Sequence, residues 1–192
     1  MGDGDHGEQN KQDERAVSRR RWLRNLLPLA AEAVATVAEA GGEGPVRPPG
    51  ALREPDFLAL CTRCGDCADA CPHGTVFTFN EDQGALGGTP VLFTTERPCR
   101  QCDGFPCAAA CKTGALAMPR GRSVRLGSAR IVEERCLPFS GPECGACAGL
   151  CPTDRALKLE RGRPRIDQEL CTGCGMCIVA CPVAPSAIEA LT

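Results

Sequence analysis

The sequence predicts an α+β fold of two pseudo-repeats, in which short hairpins and helical turns surround cysteine-rich loops. The sixteen cysteines of this 192-residue chain form four groups of four between residues 61 and 181, and none lies outside a group. Short apolar tails follow the groups and repeat the same order of small and aliphatic residues. With 22 glycines and 16 prolines, turns must be frequent and the regular elements short.

The tails that follow three of the groups are typical of β-hairpins. We expect residues 76–79 to pair with 91–93, residues 116–118 with 128–132, and residues 156–160 with 164–167. No segment holds the roughly 20 consecutive apolar residues that a membrane-spanning helix needs.

The chain divides into two regions by composition. Residues 1–53 are predicted to be a flexible segment that ends in a Gly/Pro linker, and residues 54–192 to form the cysteine-rich domain. One Trp, six Phe and no Tyr leave few large rings for a core, so another component must fill the interior. The net charge of −2 gives no electrostatic reason to expect nucleic acid as a partner.

The spacing within the cysteine groups is regular. The first and fourth groups match the run C-x2-C-x2-C-x3-C-P of bacterial iron–sulfur proteins, whereas the second and third carry insertions but keep the final x3 step. Lys112 stands where the second group would have proline. The groups are Cys61, Cys64, Cys67 and Cys71; Cys99, Cys102, Cys107 and Cys111; Cys136, Cys144, Cys147 and Cys151; and Cys171, Cys174, Cys177 and Cys181.

This spacing suits the ligation of [4Fe–4S] clusters. Three thiolates on one tight loop can reach three corners of a cubane, and the fourth cysteine then reaches a different cluster. Small residues such as Gly65, Gly173 and Gly175 allow the backbone to approach the inorganic sulfides. The sequence therefore predicts four [4Fe–4S] clusters, with all sixteen cysteines as iron ligands.

Two other uses of cysteine fit less well. A disulfide scaffold would spread its cysteines irregularly rather than in four ordered sets. Structural zinc commonly uses separated CxxC pairs, often with histidine, whereas this chain has only two histidines, His6 and His73. No nucleophile–base pair, phosphate-binding loop or paired acid–base carboxylates are recognisable, so we expect an electron carrier rather than an enzyme.

The motifs resemble those of the NapG/MauM group of polyferredoxins, which are related to the iron–sulfur electron-transfer subunits of the DMSO reductase family. The resemblance covers residues 55–192 and is most distinctive at the insertions of the second and third groups. It implies two ferredoxin-like pseudo-repeats around the clusters. It also implies single-electron relay between a membrane quinol-oxidising partner and a terminal reductase or dehydrogenase.

The resemblance further implies a nested pairing of the groups, first with fourth and second with third. Sequential pairing, first with second and third with fourth, is the alternative and leaves the same sixteen ligands. Nested pairing gives the ligand sets Cys61, Cys64, Cys67 and Cys181; Cys171, Cys174, Cys177 and Cys71; Cys99, Cys102, Cys107 and Cys151; and Cys136, Cys144, Cys147 and Cys111.

Residues 18–24 resemble a twin-arginine export signal, with Arg19 and Arg20 as the paired arginines and residues 26–40 as the apolar region. This interpretation predicts a periplasmic protein. However, Glu32 and Glu39 interrupt the apolar region, and the apolar spacing also suits an amphipathic helix. A retained helix would leave the protein cytoplasmic or peripheral on the inner membrane.

Two further functions remain open from the sequence. The chain could be a stably bound electron-transfer subunit of a molybdenum oxidoreductase instead of a separate relay. It could also be an iron–sulfur storage or maturation protein, although complete four-cysteine ligation is unfavourable for a donor of clusters.

Overall fold

The computed structural model describes residues 44–191, and its regular elements are short. The predicted export signal or helix at residues 18–40 lies outside the described residues, as does the start of the linker. The helices are α1 (Glu54–Leu60), α2 (Asp66–Asp69), α3 (Pro106–Ala109), α4 (Leu137–Ser140) and α5 (Met176–Val179), with 3₁₀ turns at Gly84–Leu86 and Ala148–Leu150. The strands are β1 (Val76–Thr78), β2 (Pro90–Leu92), β3 (Ser128–Ile131), β4 (Leu157–Glu160), β5 (Arg163–Ile166) and β6 (Ile188–Leu191).

The first half of the described chain is closed by its own two ends. Strands β1 and β2 form an antiparallel hairpin in which Val76 is opposite Leu92, as the sequence predicts. At the start of this half, Ala51 forms an antiparallel bridge with Leu116, which follows the second cysteine group. The segment from residue 51 to residue 116 therefore returns to its starting point after two cysteine groups.

The second half repeats this plan. The predicted hairpin of β4 and β5 is present, with Leu157 opposite Ile166. Strand β3 begins this half and pairs antiparallel with β6, which ends it, so that Ala129 is opposite Ala190. Each half thus contains one hairpin and one closing contact between its ends, which agrees with the predicted pseudo-repeat.

The predicted pairing of residues 116–118 with 128–132 is wrong. Leu116 instead contacts Ala51, and residues 128–131 pair with β6. The physical reason is that both segments bury small or apolar side chains within separate halves. Leu116 lies in a core with Phe57 and Leu92, whereas Ala129 lies in a core with Leu157 and Ile188.

The start of the described chain is fastened to the first half through Arg47. Its guanidinium donates to both carboxylate oxygens of Glu54 and to Thr89 Oγ1 at 2.8 Å. It also lies 4.6 Å from the ring centroid of Phe57, whose side chain is fully buried. A buried charge needs such compensation, so these contacts fix residues 44–53 against α1 and β2.

No helix within residues 44–191 is long and apolar enough to cross a membrane.

Candidate metal centres

The side chains of the sixteen cysteines line four separate cavities, four cysteines to each. Every cavity takes three cysteines from one group and the last cysteine of another. The four are called site 1 (Cys61, Cys64, Cys67 and Cys111), site 2 (Cys71, Cys99, Cys102 and Cys107), site 3 (Cys151, Cys171, Cys174 and Cys177) and site 4 (Cys136, Cys144, Cys147 and Cys181).

This arrangement corrects the nested pairing expected from the sequence. Site 1 contains Cys111 of the second group in place of Cys181, and site 4 contains Cys181 in place of Cys111. Likewise, Cys71 joins site 2 and Cys151 joins site 3. The cause is the closure of each half on itself, which brings the first group to the second and the third to the fourth.

The ligand loops bend through left-handed backbone conformations that hold three cysteines on one turn. In the first group Arg63 and Gly65 have φ values of 60° and 81°, and in the fourth Gly173 and Gly175 have 66° and 84°. Gly65 and Gly175 each immediately precede a short helix, α2 or α5, which carries the third cysteine of its loop. Glycine is favoured there because a Cβ atom strains this conformation.

The chemistry of the four sites fits a polynuclear iron–sulfur cluster better than a single ion or a disulfide. All sixteen cysteines are unpaired thiols, although each lies near three others. Within residues 44–191 no three Cys, His, Asp or Glu side chains converge on a point suited to one metal ion. The cysteines surround a cavity instead, as the ligands at the corners of a cubane do.

One buried hydroxyl adds to this fit. Thr172 Oγ1 lies in the wall of site 3 and has no hydrogen-bond partner within residues 44–191. An unsatisfied buried donor is costly, and the inorganic sulfur of a cluster would accept its hydrogen bond.

The third cysteines of the first, second and fourth groups, and the first cysteine of the second group, are strongly desolvated. Burial raises the pKa of the Cys67, Cys99 and Cys107 thiols to about 11, and that of Cys177 to about 12. Four thiolates placed around so small a space would repel one another in the absence of cations. Bound iron would remove this penalty, because metal ligation replaces the thiol proton by a positive charge.

The last cysteines of three groups are in a different environment, rich in hydrogen-bond donors. Burial acts to raise the pKa of the Cys71 thiol, but hydrogen bonds from the hydroxyl and amide of Thr75 outweigh it, so the pKa is lowered. The pKa of Cys111 is lowered in the same way, since the donors, first the amide of Leu116 at 3.3 Å, overcome burial. At Cys181 the amides of Val183 and Ala187 likewise outweigh burial.

The four sites are neighbours in the order 1, 2, 3, 4. Helices α2 and α3, which carry Cys67 of site 1 and Cys107 of site 2, pack against each other. The amide of Cys99 in site 2 donates to the carbonyl oxygen of Cys174 in site 3 at 2.9 Å. Helix α5, with Cys177 of site 3, packs against the 3₁₀ turn that follows Cys147 of site 4.

Lys112, the departure from the Cys-Pro pattern, has a structural role beside site 1. Its ammonium group lies 3.0 Å from Asp66 Oδ2 at the start of α2, and both residues line the cavity. The hydrogen bond and charge of Lys112 lower the pKa of the Asp66 carboxyl. The pair joins the segment after the second cysteine group to the helix of the first.

Sequence reasoning missed the donors to the last cysteines. Thr75, Thr113 and Ser186 lie within five residues of a group's final cysteine, and the first two have a hydroxyl within 3.6 Å of its sulfur. A hydroxyl residue shortly after the last cysteine is a repeated signal that could have identified these positions.

Comparison with known proteins identifies iron–sulfur binding motifs at the first and fourth cysteine groups. Models described as 4Fe-4S binding domains match residues 58–77 and residues 163–188. No solved structure matches the chain.

Curated relatives match most of the chain. The methylamine utilization ferredoxin-type protein MauM of Methylorubrum extorquens is 40% identical over 178 residues, covering 86% of this chain and 81% of the relative. MauM of Paracoccus denitrificans is 42% identical over 158 residues, covering 76% and 70%. The ferredoxin-type protein NapG of Escherichia coli is 36% identical over 197 residues, covering 90% and 85%.

These relatives are ferredoxin-type electron carriers and not catalytic enzymes, as expected from the sequence. The sequence identity and coverage, together with the ferredoxin-type matches at the first and fourth cysteine groups, show that this chain belongs to the MauM/NapG family of ferredoxin-type iron–sulfur electron-transfer proteins.

Proposed function

We propose that the chain holds four [4Fe–4S] clusters, one in each of sites 1 to 4, with all sixteen cysteines as ligands. The observation that carries this proposal is the distribution of the cysteines into four quartets, each around its own cavity. A bound [4Fe–4S] cluster accepts and releases one electron at a time. The residues of the chain fix the spacing of the sites, exclude water from them and donate hydrogen bonds to the ligand sulfurs.

The direct test is the iron and acid-labile sulfide content of anaerobically purified protein. We expect about sixteen irons and as many sulfides per chain, since each cubane holds four of each. Reduced protein should give an EPR spectrum broadened by interaction between neighbouring spins. Colourless protein without sulfide, or zinc in place of iron, would contradict the proposal.

We further propose that the protein relays electrons between a membrane quinol-oxidising partner and a terminal oxidoreductase. Its membership of the MauM/NapG family supports this role, as does the continuous order of the four sites. Anaerobic purification distinguishes a separate electron relay from a permanently bound electron-transfer subunit. An isolable monomer is expected of a separate relay, whereas a stable complex would indicate a bound subunit of a molybdenum oxidoreductase.

A storage or maturation role makes a different prediction, namely transfer of iron and sulfide to an apoprotein. We expect no such transfer, because each site has a full set of four cysteines. Incubation with an apo-ferredoxin, followed by separation and iron analysis, tests this.

Export to the periplasm by the twin-arginine route is also a proposal, and it rests on the sequence of residues 18–40 alone. Changing Arg19 and Arg20 to lysine should retain the protein in the cytoplasm. If cell fractionation finds the variant where it finds the wild type, these residues are not an export signal and the amphipathic-helix interpretation is favoured.

A further inference from the structure

The sulfur of Cys151 differs from the equivalent sulfurs of the other three groups. Cys71, Cys111 and Cys181 each accept a hydrogen bond from a backbone amide in the segment that follows, from Thr75, Leu116 and Ala187 at 3.5, 3.3 and 3.4 Å. In the part of the chain that the structure describes, Cys151 accepts no such hydrogen bond. Its sulfur lies 3.4 Å from the carbonyl oxygen of Thr153, to which the thiol itself donates.

The backbone after Cys151 explains the difference. Leu116 and Ala187 follow their cysteines by five and six residues, and Ala156 follows Cys151 by five. The amide of Ala156, however, is used by the carbonyl oxygen of Thr153 at 3.2 Å. Length alone does not set the difference, because the loop Cys181–Ala187 is longer still and keeps its amide donor. Compared with the loop Cys111–Ala115, the loop after Cys151 has one extra residue and turns at Arg155 (φ 63°) where the shorter loop turns at Gly114 (φ 77°).

Ligation to iron makes this contact unfavourable. A cysteine ligand is a thiolate, so Cys151 no longer has a proton to donate. Its sulfur then faces a carbonyl oxygen, another centre of negative charge, at a position where the three other groups provide an N–H donor. Donors to ligand sulfur stabilise the more negative, reduced state of a cluster and raise its potential, and their absence lowers it.

The wall of site 3 acts in the same direction. Cys174 and Cys177 are buried, and the neighbouring side chains include Ala129, Leu157 and Ile166. Among residues 44–191 no charged residue lines this cavity, whereas Arg63 and the Lys112–Asp66 pair line site 1 and Arg100 lines site 2. Site 4 is also lined without charged residues, but its Cys181 keeps the amide of Ala187. Reducing a cluster that is surrounded by dry, uncharged side chains costs more free energy than reducing one near water or a cation.

The hydroxyl of Thr172 does not reverse this difference. It is a donor available to site 3, but Thr62 occupies the same position in the ligand loop of site 1 and lines that cavity. Thr172 is buried and Thr62 is exposed, so the two hydroxyls are not equivalent. Thr172 belongs to the loop of Cys171 and Cys174, however, and the sulfur of Cys151 still faces the carbonyl oxygen of Thr153.

We propose that the loop Cys151–Ala156 makes site 3 the site of lowest reduction potential among the four. This inference rests on the proposed function, because it needs a cluster in each site. Site 3 lies between sites 2 and 4, so an electron that crosses from one half to the other must pass an uphill step inside the protein. The loop is thus a positioning element for electron transfer, acting through the sulfur of Cys151.

An EPR-monitored redox titration of the anaerobic protein tests the inference. Deleting Asp154 together with Arg155→Gly gives the loop the length and the glycine of Cys111–Ala115, so that an amide can reach the sulfur of Cys151. We expect the lowest of the four reduction steps to move to higher potential and the other three to stay in place. Movement of any other step, with the lowest unchanged, would overturn the inference.

Two kinds of variant make the result independent of whether the shortened loop folds. Thr75→Val removes a hydroxyl donor from Cys71, so the step of site 2 should move to lower potential while the lowest step stays. Cys151→Ser should move the lowest step, whereas Cys181→Ser should move a different one. If the lowest step follows Cys71, Cys111 or Cys181, the assignment to site 3 is wrong. Fewer than four steps in the wild type, with fewer than about sixteen irons, would contradict the proposed function itself.

Discussion

The amide nitrogen of Cys99 donates a hydrogen bond to the carbonyl oxygen of Cys174 at 2.9 Å, which joins the two halves of the protein at their metal-binding loops. The amide of Leu126 makes a second such bond to the carbonyl oxygen of Thr172 at 2.8 Å. Two glycines make this approach feasible. A Cβ atom on Gly175 would lie 1.8 Å from the carbonyl oxygen of Thr94, and one on Gly173 would lie 2.5 Å from the backbone of Gly127.

The contact between the halves can be tested with Gly175→Ala. Alanine at a left-handed position costs about 1–2 kcal/mol from backbone strain alone. Forcing the halves apart should cost about 1–3 kcal/mol more, by analogy with overpacked cores. The substitution Gly175→Ala should also weaken the EPR coupling between the clusters of sites 2 and 3.

The matched control is Gly65→Ala. Gly65 has the same place in its loop and nearly the same φ, 81° against 84°, but a Cβ there would meet nothing within 4 Å. Gly65→Ala should therefore show the cost of backbone strain without any loss of EPR coupling between the clusters. Equal effects of the two substitutions would indicate that the contact between the halves is unimportant.

The sequential arrangement of the sites predicts how many irons are lost when two cysteines are removed. Replacing Cys61 and Cys111 together by alanine removes two cysteines of site 1, so about four of sixteen irons should be lost. Replacing Cys61 and Cys181 affects sites 1 and 4, and about eight irons should be lost. Iron analysis of the two variants decides the matter, because nested pairing predicts the opposite order.

Arg47 is expected to stabilise the first half. Arg47→Ala leaves the carboxylate of Glu54 without its partner and removes the cation from the face of Phe57. Loss of a largely buried ion pair costs about 3 kcal/mol or more, so amide hydrogen exchange in β1 and β2 should accelerate. Arg53→Ala, which breaks only the exposed pair with Asp56, should change exchange little. Similar exchange in both variants would contradict the role given to Arg47.

Glu189 supports the closing strands of the second half through Arg130 and Arg135, at 2.6 and 2.7 Å. Hydrogen bonds from Arg135 and then Arg130 lower the pKa of its carboxyl below the ordinary value of 4.5. A lowered folded-state pKa means that the stabilisation is fully present above the unfolded pKa and is lost as the pH falls through the folded one.

Glu189→Gln should therefore speed hydrogen exchange of β3 and β6 by the same factor at pH 6 and at pH 8, after correction for intrinsic exchange. An effect that disappears at pH 6 would contradict the lowered pKa. Arg165→Gln, which loses an exposed pair with Glu160 in the β4–β5 hairpin, is a control that should leave β3 and β6 unchanged.

The local features of this protein could be predicted from its sequence, and the long-range ones could not. The hairpins of β1 with β2 and β4 with β5 join neighbouring segments, and both were predictable from turn residues and alternating side chains. The pairing of β3 with β6 brings together Ala129 and Ala190, which are 61 positions apart, and no turn signal marks it. The prediction of which four cysteines share a site was wrong for the same reason. The spacing C-x2-C-x2-C-x3-C is the same whichever group supplies the fourth cysteine.

Sites 1 and 4 each have a neighbouring site on one side only, and they belong to different halves of the chain. Cys64 of site 1 is the one cysteine of the sixteen that is exposed. A carrier with a single centre must leave its donor before it can meet its acceptor, so its turnover depends on how often it dissociates. A carrier with two separate outer sites can hold donor and acceptor at once, and the current through it is then limited by internal transfer rather than by diffusion.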